Sequence, residues 1–138
     1  MEAGMNSTDF LAETEQELLP ANAYSPLVLA YLGDAVYELY VRSLICRKNA
    51  PVHTLHKEAT ALVKAKAQSN MMEQLEPLLN EEEMAVYKRG RNAKSATVPK
   101  HADVVDYRRA TGFEALLGYL YVSRQFERME TLIRRVLL

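Results

Sequence analysis

Residues 26–45, P-L-V-L-A-Y-L-G-D-A-V-Y-E-L-Y-V-R-S-L-I, constrain this chain more than any other stretch. Ser25 followed by Pro26 makes a strong helix start, a capping hydroxyl before a proline whose missing N–H costs nothing in the first turn. A helix is therefore predicted from there to about Lys48. Wound at the helical period it is apolar on nearly every side, which calls for burial on nearly every side. Yet its middle carries Gly33, Asp34 and Glu38. A glycine inside a helix costs about 1 kcal/mol relative to alanine, and a carboxylate taken out of water needs a partner, a proton or a metal ion. Something else in the fold has to offset both penalties.

The rest of the chain reads as helices with no convincing strand. A second helix opens near Thr54 or Leu55, where Leu55, Ala59, Leu62, Val63, Ala67, Met71 and Leu75 recur at helical spacing until Pro77 breaks the run. Asn80 with Glu83 three residues on forms a capping box for a third helix ending near Arg91. Residues 95–102 read as a loop. A fourth helix is predicted from about Asp103 to Val122 and a fifth from about Gln125 to Leu137, with Phe126, Met129, Leu132, Ile133 and Val136 on one side. The expected fold is all-α. Residues 1–22 form a polar, acidic leader and residues 23–138 a single domain, since 138 residues at 49% hydrophobic content suffice for one core but not two.

A net charge of -1 conceals a strong asymmetry. Residues 1–41 hold seven acids and no lysine or arginine. From Lys88 to Arg109 there are seven basic residues against two acids, Asp103 and Asp106, a local balance of +5. One region can attract a polyanion although the whole chain is nearly neutral. No basic start followed by an apolar stretch opens the sequence, and no run of about 18 apolar residues occurs, so neither export nor membrane spanning is expected. The single cysteine, Cys46, precludes an internal disulfide, and its neighbours Leu44 and Ile45 suggest a buried, inert thiol. A reducing cytoplasm is the expected location.

The candidate chemistry lies in the acids. On a helix, Asp34 and Glu38 stand one turn apart on one face. A third acid, Glu114, sits in T-G-F-E-A-L-L-G-Y-L between Gly112 and Gly118. Two buried helices, each with an acid flanked by glycine, suggest packing close enough for the acids to meet. Carboxylate oxygens suit Mg²⁺, which takes one or two of them and keeps several waters. A hydrated Mg²⁺ facing a basic surface is an arrangement for phosphodiester hydrolysis. On spacing alone the commoner outcome is plainer: Asp34 and Glu38 paired with lysine or arginine of a neighbouring helix.

The segments L-G-D-A-V, residues 32–36, and F-E-A-L-L-G, residues 113–118, resemble the two signatures of the ribonuclease III catalytic domain. Y-K-R-G-R-N-A-K-S, residues 87–95, followed by Pro99 and Lys100, is similar to the mini-ribonuclease III branch in particular. The resemblance spans residues 27–138. It implies an all-helical homodimer, with the first signature helix packed on its symmetry mate. The implied activity is Mg²⁺-dependent cleavage of double-stranded RNA, leaving 5'-phosphate and 3'-hydroxyl ends, one strand at each of two sites. The implied substrate is the large-subunit ribosomal RNA precursor, with room for a large-subunit ribosomal protein as helper.

In the larger enzymes of that family four acids hold metal: the signature Asp, the residue one turn before it, the Glu of F-E-A-L-L-G and the residue three before that. Asp34 and Glu114 match the first and third, as catalytic and metal-holding residues, whereas the other two places hold Ala30 and Thr111. Fewer protein ligands and more water around the metal follow. Thr111 could hold a metal-bound water through its hydroxyl. Glu38 has no counterpart among the four and is either a supporting acid behind the metal or an ion-pair partner.

RNA contacts are expected from Lys88, Arg89, Arg91, Asn92, Lys94, Ser95, Lys100 and His101. The sequence ends directly after the fifth helix, so no separate RNA-binding domain is expected and these basic residues have to supply the affinity. Duplex RNA is recognised chiefly by shape, phosphates and 2'-hydroxyls, so little sequence preference is required. His53 and His56 lack a third ligand and read as a solvated helix start, and Tyr31, Tyr37 and Tyr40 as a core or dimer stripe. Two other functions stay open: a catalytically silent RNA-binding relative, and a helical dimerisation module with salt-bridged acids. Retention of Asp34 and Glu114 favours catalysis.

Overall fold

The first long helix begins as Ser25 and Pro26 require, with the Ser25 hydroxyl accepting from the Val28 N–H at 3.2 Å. The computed structural model describes residues 19–94 and 103–138. After a short 3-10 turn at Ala21–Ala23 come six α-helices. They are α1 (Pro26–Ile45), α2 (Val52–Val63), α3 (Ala65–Leu75), α4 (Glu81–Asn92), α5 (Val104–Val122) and α6 (Phe126–Leu137). Two more 3-10 turns, Cys46–Lys48 and Glu76–Leu78, extend the ends of α1 and α3. No strand occurs among the described residues, and the fold is all-α.

The caps follow the sequence. Asn80 Oδ1 accepts from the Glu83 N–H at 2.8 Å while Glu83 Oε1 accepts from the Asn80 N–H at 3.0 Å, closing the capping box of α4. Asp103 caps α5 through the Asp106 N–H at 3.0 Å. Glu83 also takes a two-pronged contact from Arg128 of α6, at 2.8 and 2.9 Å. Burial alone raises this carboxyl's pKa, but the hydrogen bonds from Arg128 and Asn80 outweigh it and hold it below its ordinary value.

Two expectations need correction. The single helix predicted to run up to Pro77 is two, because Lys64 takes an extended backbone (φ -65°, ψ 156°) between α2 and α3. No proline or glycine marks the break. A local polar contact spans it: the Gln68 amide donates to the Val63 carbonyl, freed at the end of α2, at 2.7 Å. The second correction concerns Cys46, which is exposed. It lies one turn beyond the exposed Arg42 and so continues the outward side of α1, whereas Ile45 points into the core.

The central element is α5, wrapped by α1, α3 and α4. Phe113, Leu116, Leu117 and Leu120 of α5 are fully buried. Tyr37 of α1 stands edge-on to Phe113 at 5.1 Å and donates its hydroxyl to the Leu62 carbonyl at 2.8 Å, linking α1, α2 and α5. The three tyrosines of α1 therefore part ways: Tyr37 is core, Tyr40 is half-buried and bonded to Glu130 at 2.8 Å, and Tyr31 is exposed.

Gly33 has no side chain because none fits. A Cβ there would run into the Glu114 carbonyl and the Gly118 nitrogen, and one at Gly118 would run into the Leu29 carbonyl. At the α1–α5 crossing the two backbones touch, which sets Asp34 and Glu114 beside each other. This contact offsets the helix-propensity cost of glycine.

Candidate active site

Asp34 follows Gly33 on α1 and is exposed, while Glu114 on α5 is half-buried behind the crossing. Burial, then the neighbouring Asp34 charge, push the Glu114 carboxyl up to about 8, with a smaller contribution from Glu38. Two acids from separate helices are thus close enough to repel, and neither has a lysine or arginine partner among the described residues. Among the described residues the plain alternative, in which the signature Asp is salt-bridged, does not hold for Asp34. Glu38 is ion-paired, but within its own helix and not to a neighbouring one: its carboxylate accepts from Arg42 Nε at 3.0 Å one turn on. Glu38 therefore joins a surface ion pair while still adding negative potential at Glu114.

Ala30, one turn before Asp34, is buried and offers no ligand. Thr111 is half-buried and its hydroxyl donates to the Tyr107 carbonyl of its own helix at 2.9 Å, which leaves its lone pairs for other donors.

One polar residue of the site was not foreseen in the sequence. Gln68 of α3 is 2% exposed, and its amide nitrogen donates to Glu114 Oε2 at 3.3 Å as well as to the Val63 carbonyl. Both amide hydrogens are then in use, so the side-chain orientation is fixed, and its carbonyl oxygen is buried without a partner. The signal was available: Gln68 falls on the apolar stripe of its helix, three and four residues before Met71 and Met72.

The donor set is hard: two carboxylates that repel each other and an amide oxygen in want of a donor. Among the described residues no three His, Cys, Asp or Glu side chains gather closely enough to hold a metal between them. Asp34 and Glu114 together fit a cation that takes two carboxylates and keeps its water. His53 and His56 are exposed on the first turn of α2.

Of the predicted RNA-contacting residues, Ser95, Lys100 and His101 lie outside the described residues. Lys88, Arg89, Asn92 and Lys94 are exposed on the last turns of α4 and just beyond, whereas Arg91 is half-buried with its guanidinium 5.6 Å over the Tyr87 ring. Lys88 borders a hollow with Met84, Ala85 and Asn80, and Arg91 and Asn92 border another with Arg108 and Arg109 of α5.

The model of the Ribonuclease III domain family matches residues 27–125. Mini-ribonuclease 3 of Thermoanaerobacter sp. (strain X514) is 54% identical over 110 residues, covering 79% of this chain and 78% of that protein. Its counterpart from Clostridium tetani is 49% identical over 132 residues, 93% of this chain and 85% of the relative. A crystal structure of a Fusobacterium nucleatum protein superposes with a TM-score of 0.76 at 36% identity, over 82% of this chain and 91% of that one. The chain belongs to the ribonuclease III family, in its mini-ribonuclease 3 branch, and is an endoribonuclease.

Proposed function

We propose that the chain is a Mg²⁺-dependent nuclease for double-stranded RNA that works as a symmetric dimer in the cytoplasm, with the large-subunit ribosomal RNA precursor as substrate. The observation that carries this reading is the meeting of Asp34 and Glu114 across a backbone contact, with the Glu114 proton held up to about pH 8. Two carboxylates so placed are costly unless a cation joins them. Asp34 and Glu114 would hold Mg²⁺, which supplies an acidified water and charge neutralisation at the scissile phosphate. Gln68 fixes the rotamer of Glu114, and its unpaired oxygen offers an acceptor for water at the site. Glu38, engaged by Arg42, adds negative potential without being a ligand. Thr111 has acceptor capacity to hold a water beside Glu114.

The test is purified protein with duplex and single-stranded RNA, in Mg²⁺ or EDTA. Cleavage is expected of duplex alone, in Mg²⁺ alone, with 5'-phosphate ends, and faster on the ribosomal precursor than on an unrelated duplex. Equal cutting of single strands, or cutting in EDTA, defeats the reading.

The dimer rests on α1. Leu27, Val28, Tyr31 and Leu39 are exposed apolar groups on this one helix. Leu39 further borders a groove of about 630 Å³ that α1 forms with Phe126 and Met129 of α6. A patch of this kind on a small domain marks an association surface. Light scattering at micromolar concentration should give twice the chain mass, and Leu39→Asp, altering an exposed residue, should halve it. A wild-type monomer that cuts both strands would remove the dimer from the account.

Exposed Lys88, Arg89 and Lys94 are expected to lie against RNA phosphates. Replacing all three with alanine should make the fall of duplex affinity with salt shallower by up to about three units on logarithmic axes. Affinity measured against salt in EDTA, without cutting, checks this. An unchanged slope places the duplex elsewhere.

A further inference from the structure

Where the last turn of α4 meets the first turns of α5, the fold leaves an open pocket of about 310 Å³. Arg91 and Asn92 reach it from α4 and Arg108 and Arg109 from α5, with Tyr87 on its wall and Glu76 as its one acid. Three guanidiniums against one carboxylate leave a formal charge of +2. No carboxylate among the described residues forms an ion pair with any of the three arginines. Arg91 Nε donates to Asn92 Oδ1 at 3.1 Å, which ties these two lining residues together.

Tyr87 supplies the second observation. It is 1% exposed, yet its hydroxyl has no hydrogen-bond partner of good geometry, an arrangement that folded proteins avoid. The ring cannot swing away, because it is wedged against Gly112 of α5, where a Cβ would stand 2.6 Å from the ring. Burial raises the hydroxyl's pKa, and Arg109 beside it only partly counters this, so the group stays a neutral donor. Three guanidinium forks around one space, with an unpaired O–H buried in its wall, describe a receptor for an oxyanion with several oxygens and nearly two charges.

We propose that this pocket is a phosphate-binding site separate from the Asp34–Glu114 pair. Arg108 and Arg109 stand six and five residues before Glu114, roughly 8–9 Å along α5, and the helical turn carries them to a different side of it. A phosphate bound here is therefore not the one being cleaved. Backbone phosphate of a bound RNA and a free phosphate ester present the same chemistry, and experiment separates them.

Inorganic phosphate titrated into the metal-free protein at constant ionic strength, followed by amide chemical shifts, should bind saturably, with shifts centred on residues around Tyr87 and Arg109. Arg108→Ala, an exposed position, should weaken binding several-fold, and Arg108→Ala with Arg109→Ala by about tenfold or more, as removal of charge-assisted bonds implies. Tyr87→Phe should weaken it by a smaller factor with little change in melting temperature, since the polar group beside the hydroxyl is Arg109 of the same pocket. The arginine variants are then compared on duplex RNA in EDTA. A parallel loss of duplex affinity makes the natural ligand an RNA backbone phosphate, and an unchanged one makes it a free phosphate ester. Either result supports the site. Phosphate binding that ignores all three substitutions, or no saturable binding at about 50 mM, overturns it.

Discussion

Asp34→Asn and Glu114→Gln should each abolish cleavage, by at least about 10³-fold, while leaving the fold and duplex binding in place. Neither change alters the size of the side chain, so the loss is chemical. Asp34 is exposed and supports no packing, and Glu114 keeps an acceptor for the Gln68 amide when it becomes glutamine. The two variants also have a signature in stability that simple unfolding damage would not produce. The Glu114 carboxyl, ordinarily near 4.5, is held up to about 8 in the folded chain by burial and by Asp34. A raised carboxyl pKa makes the folded state the better proton binder between those values. Without metal, stability is therefore full at low pH and declines as pH rises from about 5 to about 8. Glu114→Gln removes the decline and should melt higher than wild type at pH 8, and Asp34→Asn should reduce it. Mg²⁺ added at pH 8 should raise the wild-type melting temperature and leave Glu114→Gln nearly unchanged, because the cation takes the place of the missing proton. Normal turnover by either variant at saturating Mg²⁺, or a Glu114→Gln protein less stable than wild type at pH 8, means that these acids do not form the site.

Local signals explain which parts of the structure were legible in the sequence. Ser25–Pro26, Asn80 with Glu83 and Asp103 act within one helical turn, and each opens a helix where expected. The juxtaposition of Asp34 and Glu114 was also foreseeable, because glycines beside acids on two apolar helices leave few ways to pack other than backbone to backbone. What stayed hidden depends on partners distant in sequence. The break at Lys64 lies in V-K-A-K-A-Q, a good helical sequence, and the Gln68 that spans it by a bond to Val63 also reaches the distant Glu114 of α5. The place of Gln68 on an apolar stripe marks it as buried, but its role needs the Glu114 that it touches, 46 positions away, to be brought alongside. Cys46 was misjudged because two apolar neighbours were weighed and the helical phase was not. Arg108 and Arg109 counted only as charge in the sequence, and their place on a pocket with Tyr87 depends on how α4 lies across α5.

Gly118→Ala tests whether that close crossing is the foundation of the site. In an exposed helix this substitution stabilises by about 1 kcal/mol, since alanine is the better helix former. Here the new methyl meets the Leu29 carbonyl, main-chain atoms that cannot rotate aside. Relief has to come from moving α1 and α5 apart, which loosens the contact of Leu29 and Ala30 with Ala115 and the neighbouring Tyr119. A loss of about 3 kcal/mol is expected, at the upper end of overpacking costs, or roughly 10 °C in melting temperature for a chain of this size. The same displacement draws Asp34 away from Glu114. Metal affinity and turnover should therefore fall more steeply than stability, even well below the melting temperature where the variant is folded. Gly33→Ala, which meets the Glu114 carbonyl from the other helix, should reproduce both effects. Gly90→Ala, whose nearest obstacle is the Ala115 side chain at 2.7 Å, strains the α4–α5 crossing instead and should cost stability with less effect on the metal. A Gly118→Ala protein that melts and cleaves like wild type would show that the two carboxylates do not depend on this crossing for their separation.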